Sequence, residues 1–121
     1  MADYLLVLRD DLTKMTEMPS PDEFAAIIEK YEAWAEGLAA EGLLAGGNKL
    51  TDGAGCMVRA GEKGLDVSDG PYAETKEIIG GYYLIKADSY EHAVKLCENH
   101  PNFRFGSIEV RELDATGEKE S

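Results

Sequence analysis

The 121-residue chain is poor in the features that most often betray a function. It has only two cysteines, Cys56 and Cys97, 41 positions apart and outside any C-x-x-C spacing, so neither a disulfide scaffold nor a thiolate metal site is expected. It has only two histidines, and no His/Cys/Asp/Glu group shows metal-ligand spacing; no metal and no cofactor is called for. Positive charge is scarce: 12 basic against 24 acidic side chains leave a formal charge of −12. A chain so acidic repels nucleic acid and anionic membrane surfaces before contact is made. No apolar run approaches the ~20 residues of a spanning helix. The opening Met1-Ala2-Asp3-Tyr4 lacks a basic stretch, so no signal peptide is expected and the cytoplasm is the expected compartment. Phosphate-binding and nucleophile-elbow glycine patterns are absent too.

The remaining composition is that of a globular domain, with 44% hydrophobic and 30% charged residues. A chain of this size can bury about two-thirds of its unfolded surface, enough for a core without a staple. One domain is expected over residues 1–113, followed by a polar, aperiodic tail over 114–121.

Tyr4 to Arg9 is a short apolar run bounded by charge and predicts a strand. Ser20, Pro21 and Glu23 fill the N-cap, first and third positions of a helix start. Behind them Phe24, Ile27, Ile28, Tyr31, Trp34, Ala35 and Leu38 recur at helical spacing until Gly42 stops the helix. Leu43 to Leu50 predicts a second strand. Cys56–Ala60 and Leu65–Ser68 predict a hairpin turned at Gly61-Glu62-Lys63-Gly64. Ile78 to Ile85 is the strongest strand; Asp88 with Glu91 predicts a capping box for a helix carrying Tyr90, Ala93, Val94 and Cys97. Ser107 to Leu113 alternates as a last strand. Of the histidines, His92 is expected in solvent, and His100 near the end of the second helix as a cation favoured by its dipole.

The order is β-α-β, a hairpin, then β-α-β: an α+β, ferredoxin-like antiparallel sheet with two helices on one face and an inserted β-hairpin. Tyr4–Leu8 and Ile78–Ile85 are apolar on both parities, so both sheet faces seek burial. Two helices cover one face. A second copy covering the other, a face-to-face homodimer, is the expected solution.

One segment concentrates chemistry. Asp69-Gly70-Pro71-Tyr72-Ala73-Glu74-Thr75-Lys76-Glu77 sets ionisable groups, a hydroxyl and a rigid turn beside the most apolar strand, which carries Gly80-Gly81. A carboxylate beside an ammonium at the rim of an apolar pocket is an arrangement that moves pKa values towards neutrality. The alternative is a charged turn with glycine at a bulge. The expected site has Asp69, Glu74 and Lys76 as acid–base groups and Gly70, Pro71, Thr75 and Tyr82 against the ligand. Arg9 would reach in from the first strand as a fixed cation for a carboxylate-bearing ligand.

This DGPYAETKE segment, followed by IIGGYYLI, closely resembles the DGPF signature of the YCII-related family, with Tyr72 in place of the usual Phe. The similarity extends over roughly residues 4 to 113. The resemblance implies a dimeric α+β barrel of ferredoxin-like protomers, most of them without an assigned reaction. It also implies a link, in some relatives, to extracytoplasmic-function sigma factors, and lyase or dehalogenating chemistry in others. The wider group is proposed to use a His–Asp pair with the histidine on the first helix; Phe24 to Glu41 holds none, leaving Asp69 for the carboxylate part. Two classes therefore stay open: a small-molecule binding or regulatory dimer, and an acid–base enzyme.

Overall fold

The computed structural model describes residues 1–14, 19–51, 55–69 and 77–115. The elements are β1 (Ala2–Asp11), α1 (Pro21–Ala40), β2 (Leu44–Lys49), β3 (Cys56–Gly61), β4 (Gly64–Asp69), β5 (Glu77–Ala87), α2 (Tyr90–Leu96) and β6 (Gly106–Glu112). Short 3-10 turns occupy Leu12–Lys14 and Pro101–Arg104. Four strands form one antiparallel sheet in the order β2-β5-β1-β6, and β3-β4 form a separate hairpin, the α+β arrangement expected.

Local chemistry fixes the start and stop of α1. The Ser20 hydroxyl accepts from the Glu23 N–H at 3.2 Å, Pro21 opens the helix, and Gly42 leaves it with φ +74°. The Glu23 carboxylate does not close a box; it reaches Arg104 at 3.5 Å. The cap of α2 corrects the sequence expectation by one residue. Ser89, not Asp88, is the N-cap: its hydroxyl accepts from the His92 N–H at 3.1 Å, and His92 Nδ1 accepts in return from the Asp88 N–H at 2.9 Å. His92 is thus half-buried in a reciprocal cap, where the sequence placed it in solvent. A hydroxyl on a short stem matches the extended backbone that an N-cap needs, and the imidazole supplies the returning acceptor.

Tyr4, Leu6 and Leu8 of β1 and Ile85 and Ala87 of β5 are buried. All but Leu8 belong to one core with Leu38 of α1, Leu43 just after it, Ala93 of α2 and its C-cap Cys97. The Trp34 indole N–H donates to the Leu96 carbonyl at 2.9 Å and ties the two helices together. Leu5, Val7 and Arg9 fall on the opposite parity of β1, across from Leu84 and Tyr82 of β5, and are half-buried. That is the face on which the sequence analysis expects a second copy.

Candidate functional site

A cavity of about 510 Å³ opens between the N-terminal half of α1 and one end of the sheet. Its origin is local. The seven-residue α2 meets the second half of α1 through Leu96 and Trp34, while the first half meets the 3-10 turn, where Arg104 reaches Glu23 and Asn102 reaches Tyr31. Beneath that half, β5 carries Gly80 and Gly81, where the pairing with β1 shifts at Leu8/Arg9. Phe24 and Ile28 therefore face open space, and Ile27 and Tyr31 line the cavity beside them. Phe24 and Ile28 stay 51% and 41% exposed although they belong to the apolar stripe.

The glycines serve the strands as well as the space. A Cβ on Gly81 would stand 2.9 Å from the Asn48 carbonyl, and one on Gly80 would strike the Asp10 carboxylate. Glycine here lets β2 close on β5 and lets Asp10 lie over the bare backbone.

Leu8, Tyr83 and Phe105 complete the apolar wall, and the polar lining comes from Asp10, Glu32, Asn48, Lys49, Asn102 and the Tyr31 hydroxyl. Asn102 is 2% exposed and fully engaged. Its amide donates to the carbonyls of Ser107 (3.0 Å) and Arg9 (3.4 Å), and its side-chain oxygen accepts from the Tyr31 hydroxyl at 3.1 Å. Burial, then the Asp10 charge, then Tyr83 push the Tyr31 phenol above its ordinary pKa, so it remains a neutral donor. Burial raises Tyr83 likewise.

Behind this wall stands His100, which overturns the expectation of a helix-capping cation. It is 3% exposed, and its Nδ1 accepts from the Asn102 N–H at 3.0 Å, which assigns the ring proton to Nε2. The rings of Tyr31, Trp34 and Tyr83 surround it with centroids 4.7 to 5.6 Å away, and Nε2 is buried with no hydrogen-bond partner among the described residues. Burial lowers its pKa to about 4, so the ring is neutral at physiological pH. The chain leaves α2 through Asn99, at φ +67°, and turns His100 inward to cap the following 3-10 turn.

Of the residues singled out in the sequence, Gly70, Pro71, Glu74, Thr75 and Lys76 lie outside the described residues. Asp69 ends β4, exposed, opposite Cys56, and does not line the cavity. Arg9 and Tyr82 are on the other face of the sheet from the cavity lining of β1 and β5. The Arg9 guanidinium is held by Glu109 at 2.6 and 2.8 Å and lies 3.7 Å from Glu77. It meets carboxylates of its own chain and keeps Glu109 below the usual carboxylate pKa. The cavity residues were present in the sequence as ordinary core positions. One signal could have marked them: Asp10 continues the parity of Tyr4, Leu6 and Leu8, an acid on the inward face of a strand.

Among the described residues no group of three or more His, Cys, Asp or Glu could hold a metal ion, and no helix is long and apolar enough to cross a membrane. The family model of the YCII-related domain matches residues 3–115. No curated protein matches the chain. A similar solved structure is 5-chloro-2-hydroxyhydroquinone dehydrochlorinase from Burkholderia phenoliruptrix AC1100, in complex with 2,5-dihydroxybenzoquinone. It is 16% identical, with 93% of each chain covered and a TM-score of 0.48.

Proposed function

We propose that this chain, which belongs to the YCII-related family, binds a small organic molecule in the cavity between α1 and the sheet, as one half of a homodimer. The observation that carries the reading is the cavity, about 510 Å³ with an aromatic and aliphatic wall and a few convergent polar groups. Ligand sites have this size and this lining. The Tyr31–Asn102 hydrogen bond holds two of the polar groups in fixed positions, so a ligand meets a preorganised edge.

We further propose that Glu74, Thr75 and Lys76, with Gly70 and Pro71, belong to the same site; Lys76 precedes Gly80, a cavity residue, by four positions in the sequence. Asp69, Arg9 and Tyr82 are then structural, the last two on the face given to the second copy. Support for that copy is the half-buried Leu5, Val7 and Leu84, apolar residues on a sheet face that neither helix covers.

Filling the cavity tests the reading. Native purification followed by denaturation and mass spectrometry should release a small molecule from the wild type. Ile28→Trp, which points extra volume into the cavity, should keep the helical circular dichroism and lose that molecule. An Ile28→Trp protein carrying the same molecule in the same amount would refute the assignment.

A further inference from the structure

We infer that the buried edge of the cavity selects a ligand that offers a hydrogen-bond donor, a hydroxyl or N–H group on an apolar body, to the Tyr31 oxygen. The inference rests on the small-molecule reading above and adds the polarity of the group that meets this edge.

The Asn102 side chain can point only one way. Arg9 and Ser107 face each other in the β1–β6 ladder, and the Asn102 amide lies 3.4 and 3.0 Å from their carbonyls. Carbonyls only accept, so the amide nitrogen must lie towards them, and both of its protons are spent there. The side-chain oxygen is left for the Tyr31 hydroxyl, 3.1 Å away. Of these two oxygens only the hydroxyl carries a proton, and Tyr31 therefore gives its one proton to Asn102. Burial keeps the phenol protonated, which preserves the arrangement. The Asn102 backbone N–H is spent as well, on His100 Nδ1. What this edge has left for a ligand is lone pairs.

Turning the Tyr31 hydroxyl round to serve an acceptor would strand the oxygen of a side chain that is almost fully buried. Accepting from a donor breaks no bond. The rest of the polar lining does not make this choice. Glu32, Asn48 and Lys49 are exposed, where water competes for every hydrogen bond, and the Tyr83 hydroxyl turns to serve a donor or an acceptor. Asp10 and Lys49 have interactions of their own. Charge gathered at the mouth does not alter which atom of Asn102 faces the two carbonyls.

Three probes of nearly one shape separate the possibilities: indole, which only donates, benzofuran, which has no donor, and quinoline, which only accepts. Each is titrated by calorimetry at pH 7 against the wild type, Tyr31→Phe and Ile28→Trp. Indole should bind the wild type about tenfold more tightly than either of the others, the ratio that one buried hydrogen bond supplies. Tyr31→Phe should bring indole to within about twofold of benzofuran and leave benzofuran unchanged. Benzofuran or quinoline binding the wild type as tightly as indole would overturn the donor preference and leave the cavity assignment standing; this comparison needs no variant and holds if Tyr31→Phe fails to fold. A full indole advantage in Tyr31→Phe would overturn the role of the Tyr31 oxygen. Indole binding undiminished by Ile28→Trp, or failure of all three probes at millimolar concentration, would overturn the cavity reading as well.

Discussion

Acid should destabilise this protein through His100 well before its carboxylates titrate. The folded ring has a pKa of about 4, against an ordinary 6.5 in the unfolded chain, because burial among aromatic rings disfavours the imidazolium. The unfolded ensemble therefore binds this proton first. Stability from this group is complete above about pH 6.5, declines as pH falls through the interval to about 4, and changes no further below it. The whole interval corresponds to about 3 kcal/mol, and pH 5 to about 2 kcal/mol. For a chain of this length, about 4 °C of melting temperature accompanies each kcal/mol, so the shift from pH 7 to pH 5 is roughly 8 °C.

Thermal melts of wild type and His100→Leu from pH 7 to pH 4.5 isolate this contribution. The variant forfeits the Asn102 contact and melts lower at pH 7, but its melting temperature should be much flatter between pH 7 and pH 5. Equal slopes for the two proteins would refute the reasoning. The Arg9–Glu109 pair acts in a different window: the depressed Glu109 pKa means its support is present above the ordinary carboxylate value and lost as pH falls beneath it. An NMR titration of the His100 ring supplies an independent check, since a midpoint near 6.5 would place the ring in water.

Other expectations follow from single contacts. Ser20→Ala should cost about 1 kcal/mol in urea denaturation through loss of the Glu23 N–H cap, with ligand affinity unchanged. Under a thiol reagent, exposed Cys56 should react at once, whereas Cys97, buried with its pKa raised to about 11, should react only on unfolding; two fast thiols would contradict that placement. Gly47→Ala should destabilise by about 1–3 kcal/mol, because the new Cβ meets the Tyr82 carbonyl at 2.7 Å on a backbone at φ +154°; unchanged melting would show that β2 moves aside freely. Sedimentation at micromolar concentration should give a dimer, and a single species at the 13.2 kDa of one chain would remove the second copy.

Much of the fold was legible because its determinants are local. Ser20-Pro21 and Gly42 bound α1, and the Gly61 to Gly64 turn sets the hairpin register, with Gly61 opposite Gly64. Both signals act within a few residues and need no tertiary help. The cap of α2 was misread by one position because Asp88 and Ser89 are both good caps, and the choice turned on a returning bond from His92. His100 was misread for a longer-range reason. Its surroundings come from α1 and β5, elements distant in the chain, and proximity to a helix end says nothing about whether the ring turns outward or in.

The site was hidden by the same stripe that revealed α1. Phe24, Ile27, Ile28, Tyr31, Trp34 and Leu38 share one face, and periodicity alone treats them as equivalent core positions. Burial separates them: Ile27 and Leu38 are closed in, while Phe24 and Ile28 are open to the cavity. What divides the stripe is what lies opposite each part of it. Trp34 in the second half meets Leu96 of α2, whereas Phe24 and Ile28 look towards Gly80-Gly81, which carry no side chain. An apolar helix face laid over a strand with paired glycines thus leaves a vacancy at the glycine end. Asp10 lies at that end, on the parity of Leu6 and Leu8, with Asn102 buried beside it and tied to Tyr31. Polar groups on inward positions are costly unless satisfied. Their collection around one apolar gap therefore marks the proposed binding edge more sharply than the exposed charges Asp69 and Glu77, the two ends of the signature segment.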